Sequence, residues 1–187
     1  MPAKTSNNTL LNRLEPFDDD SGDLNVIIET PKGRRNKYDY DPEVGAIKLK
    51  KVLPAGAVFP FDFGCVPGTL GEDGDPLDVL LIMDEPAYPG CILTARLIGV
   101  IEAEQTERDG KPIRNDRLIA VASESHDHGD IKELAQLNDN LVEEIEHFFE
   151  SYNEFRGKTF KPLRRAGPER AKALVQKGIE AYKKDKK

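Results

Sequence analysis

Three aspartates stand close together in the segment EDGDPLDVLLIM, residues 72–83. Asp73 and Asp75 flank a glycine, and Asp78 directly precedes an apolar run. The glycine and the proline between them predict a turn that folds the first two aspartates back toward the third. Crowded carboxylates repel one another, and a divalent cation relieves that repulsion. Oxygen ligands favour Mg²⁺, Mn²⁺ or Ca²⁺ over zinc. The alternative interpretation is a solvated acidic turn.

The first two thirds of the chain predict short β-strands separated by proline and glycine signals. The run after Asp78 is continuously apolar, which indicates a strand covered on both faces. A long strand and a return strand later in the chain predict a hairpin with an extended polar tip. Besides the run after Asp78, the predicted strands cover residues 25–30, 37–41, 46–53, 57–64, 91–104 and 117–123.

The last third of the chain predicts two helices. One apolar stripe runs from Leu134 to Phe155 at steps of three and four residues, and Asp130 with Glu133 resembles a capping box at its start. Pro168 is typical of the first turn of a second helix. Short antiparallel strands followed by two helices predict an α+β, mainly β fold, a small β-barrel with helices packed outside it.

Composition and charge narrow the class of protein. A length of 187 residues fits one domain over 1–187, with 1–22 as a partly flexible N-terminal arm. The net charge of −7 argues against nucleic-acid binding. No apolar run approaches the roughly 20 residues of a membrane span. Cys65 and Cys91 are too few for a disulfide framework, so we predict a cytoplasmic protein with reduced thiols and no membrane partner.

Several segments, taken in order, resemble the soluble family I inorganic pyrophosphatases. EDGDPLDVL is similar to the family's D-G-D-P-x-D signature followed by an apolar strand. The earlier segments VIIETPKGRRNKYDYD and AVFPFDFGCVPGTL, and the later LIGVIEAE, RLIAVAS and HFFESYNEF, also resemble family segments. The resemblance covers roughly residues 24–160. It implies a five-stranded OB-like barrel with two flanking C-terminal helices and Mg²⁺-dependent hydrolysis of pyrophosphate, with Mn²⁺ as an alternative cofactor.

The resemblance also implies roles for individual residues. Asp75 would deprotonate or orient the attacking water, and Tyr152 would donate its hydroxyl to a phosphate. Phosphate oxygens would be held by Lys37, Lys51 and Arg117. The metal site would draw on Asp73 and Asp78, with Glu29 and Asp39 lining the same cavity and the hairpin contributing from Asn115, Asp116, Asp109 or Glu107.

Several positions depart from the family pattern. Phe59 and Phe63 replace tyrosines, and Asn153 replaces a lysine, so groups that hold phosphate are missing. Asn115 stands where the hairpin pattern has aspartate, and Arg117 stands where lysine is usual. Two alternatives to a pyrophosphatase follow. One is a hydrolase of another phosphoanhydride, such as an organic diphosphate, and the other is a metal-dependent phosphate-binding module without turnover.

Three histidines suggest further hypotheses. His147 falls in a region that the family uses for subunit contacts, which predicts a homo-oligomer, a hexamer by resemblance. Ser151 stands where a second interface histidine is frequent. His126 and His128 have a spacing that can bind zinc, but no cysteine or third histidine is near them.

Overall fold

Strands dominate the computed structural model, which describes residues 13–41, 44–106 and 110–186. A 3₁₀ turn at Leu134–Gln136 precedes helix α1 at Asp139–Glu154, and helix α2 covers Pro168–Asp185. No helix in this described part of the chain has the length and apolar character that a membrane span needs. The strands are β1 Leu24–Thr30, β2 Asn36–Asp41, β3 Ala46–Val52, β4 Asp62–Cys65, β5 Asp78–Ile82, β6 Ile92–Thr106, β7 Pro112–Arg114, β8 Arg117–Ala122 and β9 Thr159–Ala166.

Five strands pair in a closed ring, as the resemblance to an OB-like barrel implies. β1 pairs with β4, β4 with β5, β5 with β8, β8 with β6, and β6 returns to β1. β7 and β9 extend the sheet along β6, and β2 with β3 forms a separate hairpin. The α+β, mainly β fold with two helices is confirmed. Most of the pairings are antiparallel, as predicted, but β5 and β8 are parallel.

Both faces of β5 are buried, which explains its continuous apolar run. Leu80 and Ile82 belong to the core that α1 covers, whereas Val79 and Leu81 belong to the core that α2 covers. Successive side chains of a strand point to opposite faces. Asp78 therefore shares the face of Leu80 and Ile82, on the α1 side of the ring. The prediction of a strand covered on both faces is confirmed.

Helix α1 begins later than the sequence predicts. Asn138 has extended backbone, and its side chain accepts a hydrogen bond at 2.9 Å from the backbone N–H two residues on, so it caps a helix that starts at Asp139. The predicted cap at Asp130 is wrong. A capping box is present, but Glu133 and Gln136 form it around the separate 3₁₀ turn. The apolar stripe therefore crosses two elements.

Strand β9 is a feature that the sequence analysis misses. It pairs antiparallel with β6, and it carries Pro162 at a register shift opposite the step from Glu102 to Ala103. Proline lacks an N–H and is tolerated on edge strands. Proline and several basic residues hide the strand character of this segment. The second predicted helix is confirmed, with Pro168 as its first residue.

Candidate active site

The predicted aspartate turn is present and leads directly into β5. The Gly71 N–H donates a hydrogen bond to the Asp75 carbonyl at 2.8 Å, which closes the turn. Gly74 has a φ of 87°, a conformation that glycine adopts without steric cost. Asp73 Oδ1 accepts the Asp75 N–H at 3.2 Å. Asp78 then begins the strand, so the local sequence fixes all three aspartates near the start of β5.

The turn aspartates differ in their surroundings. The Asp73 carboxyl is at the surface, yet partial loss of hydration and repulsion from Asp78 raise its pKa to about 6. Burial raises the pKa of Asp78, although the Arg117 guanidinium opposes the shift with a Nη1–Oδ2 distance of 2.7 Å. Asp75 is exposed. Its charge adds to the repulsion at Asp78.

Lys37 on β2 joins carboxylates from two strands. Its Nζ contacts the Asp39 carboxylate and lies 3.6 Å from Glu29 Oε2. Burial opposes the charge of Lys37, but these two carboxylates outweigh it and raise the pKa of the lysine. Burial raises the pKa of Glu29 to about 7, even though the Tyr40 N–H donates to its carboxyl at 2.9 Å. Lys50 also binds Asp39, at 2.8 Å.

The aspartate turn and the β1–β2 carboxylates form one electrostatic group. The charge of Asp78 acts on the pKa values of Glu29, Lys37 and Asp73, and the charge of Asp39 acts on that of Asp78. Such coupling requires these groups to be near one another. Four of the eight residues that the resemblance implies for the metal site therefore act on one another electrostatically, namely Asp73, Asp78, Glu29 and Asp39.

The donor chemistry of this group fits a hard divalent cation. The acidic groups offer only oxygen ligands, and burial followed by repulsion between carboxylates raises the pKa values of Asp73 and Asp78, which a cation would lower. As the side chains stand, no three His, Cys, Asp or Glu residues converge closely enough to hold a metal within residues 13–41, 44–106 and 110–186. The carboxylates are instead engaged by Lys37, Lys50 and Arg117. A zinc site at His126 and His128 is not present in that range.

Lys51 and Tyr152 lie side by side on the α1 side of the ring. The Lys51 ammonium is 5.1 Å from the centre of the Tyr152 ring, and the Arg156 guanidinium is 5.5 Å from it. Burial, then the charges of Arg156 and Lys37, lower the pKa of Lys51 to about 8. Burial raises the pKa of Tyr152, so its hydroxyl keeps its proton at neutral pH. Both side chains are therefore suited to bind anionic oxygens.

Three of the positions that depart from the family pattern, Phe59, Phe63 and Asn153, are buried. Phe59 is buried edge-on against Phe148, with ring centres 5.0 Å apart. Phe63 is buried beneath Lys37, whose Nζ is 4.8 Å from the ring centre. Asn153 is fully buried and donates to the Phe149 carbonyl at 2.9 Å. These side chains are packed in the interior, and Phe63 borders the site through its contact with Lys37.

The hairpin residues proposed for the metal site differ in their contacts. Asp109 and Glu107 lie outside the described residues. Asn115 turns its Oδ1 toward Arg117 and donates its Nδ2 to Gln105 Oε1 at 3.3 Å. Sequence reasoning missed Gln105, because its contact depends on the register between β6 and β7.

The Asp116 carboxylate binds residues of the hairpin strands. Its Oδ1 accepts the Ala103 N–H at 2.9 Å and an Arg114 Nη2 hydrogen bond at 2.6 Å. Both partners belong to the β6–β7 pair rather than to the aspartate turn. Asn115 therefore contacts Arg117, which also pairs with Asp78, whereas the Asp116 carboxylate binds Ala103 and Arg114.

A cavity of about 580 Å³ adjoins the aspartate turn on the α2 side of the ring. Asp73 and Asp78 contribute to one wall, and Arg170 and Lys177 of α2 contribute to another. Leu77 and Leu174 are among its apolar residues. The metal-binding candidates therefore border a space that has both charged and apolar walls.

Comparison with known proteins identifies the family. The profile of the inorganic pyrophosphatases matches residues 26–183. An inorganic pyrophosphatase from Aquifex pyrophilus is 40% identical over 91% of this chain and 96% of its own length, and one from Nostoc sp. is 38% identical over 87% and 93%. The crystal structure of the Thermus thermophilus inorganic pyrophosphatase superposes with a TM-score of 0.82 at 35% identity, covering 91% of this chain and 97% of that one. This chain therefore belongs to the inorganic pyrophosphatase family.

Proposed function

We propose that this protein hydrolyses inorganic pyrophosphate to two phosphates in a reaction that depends on Mg²⁺. Family membership over residues 26–183 carries the activity. The oxygen-only group around Asp78 supports the metal, because carboxylates that repel one another form a site for a hard dication. Mn²⁺ is the alternative cofactor, since it accepts the same oxygen ligands.

Asp73 and Asp78 would hold the metal, with Glu29 and Asp39 on the opposite side of the same electrostatic group. Mg²⁺ bound there would neutralise pyrophosphate and lower the pKa of a bound water. Asp75 lies between these two ligands in sequence and is exposed to solvent, so it would orient the water or accept its proton. In this proposal, neighbouring residues of one turn would serve as metal ligands and as the base.

The basic side chains would hold the anionic substrate. Lys37 is already close to Glu29 and Asp39, which places a buried cation beside the proposed metal site. Lys51 and Tyr152 would bind the outer phosphate oxygens, since both are near each other and each can donate a hydrogen bond. Arg117 would add positive charge from the hairpin side of Asp78. Catalysis of this kind relies on positioning and charge neutralisation.

The Asp78→Asn variant tests the proposal. The asparagine side chain lacks the charge that a dication requires, so we expect pyrophosphate hydrolysis with Mg²⁺ to fall by about three orders of magnitude or more. Phosphate release from pyrophosphate measures the activity, and Mn²⁺ binding by electron paramagnetic resonance measures the metal separately. Wild-type turnover in the variant would exclude Asp78 as a ligand.

A matched control is Asp20→Asn, which removes the same charge from an exposed loop. We expect it to keep wild-type activity and Mn²⁺ binding. If the wild-type protein binds pyrophosphate tightly with Mg²⁺ but releases no phosphate, it is a phosphate-binding module and not an enzyme.

The cavity on the α2 side supports a second candidate substrate, an organic diphosphate. Asp73 and Asp78 lie at its edge, and Leu77 and Leu174 give it an apolar wall that inorganic pyrophosphate would not use. The packed Phe59 and Phe63 reduce the number of phosphate donors on the other side. Turnover measured on pyrophosphate, a nucleoside diphosphate and an isoprenoid diphosphate separates the two substrates. Preference for an organic compound would displace pyrophosphate from the proposal.

We also infer a cytoplasmic homo-oligomer, with a hexamer as the size implied by resemblance. Both cysteines are free thiols, which suits a reducing compartment. His147 is exposed on α1, 3.0 Å from Glu150, and is thus available for a subunit contact. Light scattering coupled to size-exclusion chromatography measures the assembly, and a monomer at micromolar concentration would contradict it.

A further inference from the structure

One nitrogen of Arg117 is surrounded by oxygen atoms. Its Nη1 lies 2.7 Å from Asp78 Oδ2, 3.2 Å from the Asn115 carbonyl and 3.0 Å from the Asp116 carbonyl. The Asn115 side-chain oxygen also accepts a hydrogen bond from it. A carboxylate, an amide oxygen and backbone carbonyls are the ligand types that hard divalent cations take from proteins. We define these four oxygens as the Arg117 oxygen cluster.

Aromatic packing fixes the guanidinium in this position. The Arg117 side chain is 4% exposed, and its Cζ lies 4.7 Å from the centre of the Phe149 ring and 5.2 Å from that of Phe160. Arginine stacks on aromatic faces and is effectively always charged. A positive charge is therefore built permanently into the start of β8, beside Asp78.

The hydrogen bonds of Arg117 are concentrated on the oxygen cluster. Its Nε is buried and has no hydrogen-bond partner among the described residues. An unpaired buried donor is unfavourable, so hydrogen bonding is not optimal for the whole guanidinium. The side chain adopts this position even so, with Nη1 directed at the oxygens. This favours a role at the site over a role in packing alone.

Gln105 on β6 orients the amide of the cluster. Gln105 Oε1 accepts a hydrogen bond from Asn115 Nδ2 at 3.3 Å. Because the Asn115 nitrogen is directed to Gln105, its oxygen faces Arg117. The hairpin thus offers a neutral oxygen to the guanidinium where a carboxylate would add another negative charge.

We propose that the Arg117 guanidinium is a tethered cation that occupies the Arg117 oxygen cluster in place of a divalent ion. It neutralises Asp78 from the hairpin side, so a divalent ion held by Asp73 and Asp78 would share the Asp78 carboxylate with the guanidinium. The inference rests on the proposed metal-dependent function, but it concerns binding rather than turnover. It predicts that divalent ions compete with the guanidinium for Asp78.

Mn²⁺ binding to the full chain tests this competition. In the Arg117→Met variant, Asp78 is released from its charged partner, and we expect the Kd for Mn²⁺ to fall by about ten- to a hundredfold, the scale of a hydrogen bond to a charged group. Arg117→Lys keeps the charge and should remain within about threefold of wild type. Electron paramagnetic resonance of free Mn²⁺ and calorimetry both measure the Kd. The matched control is Arg165→Met, which removes an arginine from an ion pair with Glu146 on the surface.

An unchanged or weaker Kd in Arg117→Met, or the same gain in Arg117→Lys, would overturn the proposal. Asn115→Asp tests it without removing a buried side chain. With the guanidinium in place, the added carboxylate should change the Kd by less than about threefold, whereas about tenfold tighter binding would mean that metal occupies the cluster. A wild type that hydrolyses pyrophosphate while Arg117→Met binds Mn²⁺ unchanged would refute this inference alone. Absence of wild-type turnover would refute only the proposed function.

Discussion

Two buried glutamates on neighbouring strands show opposite electrostatics. Glu29 on β1 is 8% exposed and Glu102 on β6 is 1% exposed, so burial removes water from both. The pKa of Glu29 is raised to about 7, whereas that of Glu102 is lowered to about 2. Burial by itself raises the pKa of both carboxyls. The difference therefore comes from the charged groups around each one.

The Glu102 carboxylate forms ion pairs with three arginines, each from a different element. Its Oε1 lies 3.0 Å from Arg114 Nη2 on β7 and 2.7 Å from Arg170 Nη2 on α2, and its Oε2 contacts Arg164 on β9. Hydrogen bonds from Arg164 and Arg170 outweigh burial and lower its pKa. This carboxylate ties the late strand and the last helix to the ring, which is a structural role.

Glu29 has too little positive charge around it. The nearest lysine, Lys37, is 3.6 Å away and is shared with Asp39, and Asp78 adds repulsion. A buried carboxylate whose charge is only partly neutralised reduces stability unless a ligand supplies the missing positive charge. Glu102 is therefore neutralised by arginines within the fold, whereas Glu29 is the carboxylate that we propose to be neutralised by a bound cation.

The largest effect on stability is expected from a substitution of Glu102, the glutamate with the structural role. Glu102→Gln leaves three partly exposed arginines facing one another, and loss of their shared carboxylate lowers the free energy of unfolding by about 1–3 kcal/mol. Urea denaturation followed by circular dichroism measures it. The matched control, Glu146→Gln, breaks the arginine pair with Arg165 on the surface and should lower it by less than about 1 kcal/mol. Equal losses would mean that Glu102 is no more important than a surface residue.

The pH dependence of this difference has a defined sign. The folded pKa of Glu102, about 2, lies below its ordinary value of 4.5, so its stabilisation is present above about pH 4.5 and is lost as the pH falls toward 2. The gap in unfolding free energy between wild type and Glu102→Gln should therefore narrow between about pH 5 and pH 3. A gap that is constant over this range would mean that the charge of Glu102 is not its source.

A substitution of Glu29 is expected to change the free energy of unfolding by a smaller amount and in the opposite direction. Glu29→Gln removes a buried carboxylate that repels its neighbours, and the amide oxygen can still accept the Tyr40 N–H. We expect the free energy of unfolding at pH 8 in EDTA to rise by about 1 kcal/mol, and the stabilisation by Mg²⁺ to decrease. Urea denaturation with and without Mg²⁺ measures both quantities. If Glu29→Gln lowers the free energy of unfolding in EDTA as much as Glu102→Gln does, both glutamates stabilise the fold and the proposed difference between them is wrong.

Local patterns predict the elements well, but pairing over long distances decides the rest. The continuous apolar run of β5, the aspartate turn and the helix at Pro168 follow from spacing and turn residues. The strand β9 and the parallel pairing of β5 with β8 do not, because each depends on a partner far away in the sequence. The predicted start of α1 is wrong because a 3₁₀ turn continues the apolar spacing of a helix.

In the candidate site, too, local sequence motifs predict some residues, whereas contacts between distant segments could not be predicted. The D-G-D-P-x-D signature and the order of the early segments point to Asp73, Asp78 and Lys37, which the structure places in one electrostatic group. Contacts across the hairpin could not be predicted. The hydrogen bond of Gln105 with Asn115 depends on the register of β6 with β7, and the charge of Glu102 depends on three segments that meet only in the fold.

The last prediction tests whether an added hydroxyl in the functional region increases activity. Phe63 lies beneath Lys37 and replaces a family tyrosine, so Phe63→Tyr adds a hydroxyl near the lysine that would hold phosphate. A hydrogen bond to a charged group supports an increase of up to about tenfold in kcat/KM for pyrophosphate. Steady-state phosphate release measures it. Phe61→Tyr, a buried phenylalanine next to Lys32, is the control and should leave kcat/KM unchanged. If Phe63→Tyr also leaves kcat/KM unchanged, the missing hydroxyl does not limit the reaction, and the positive charge around Asp78 would then be the remaining determinant of how well this site holds pyrophosphate.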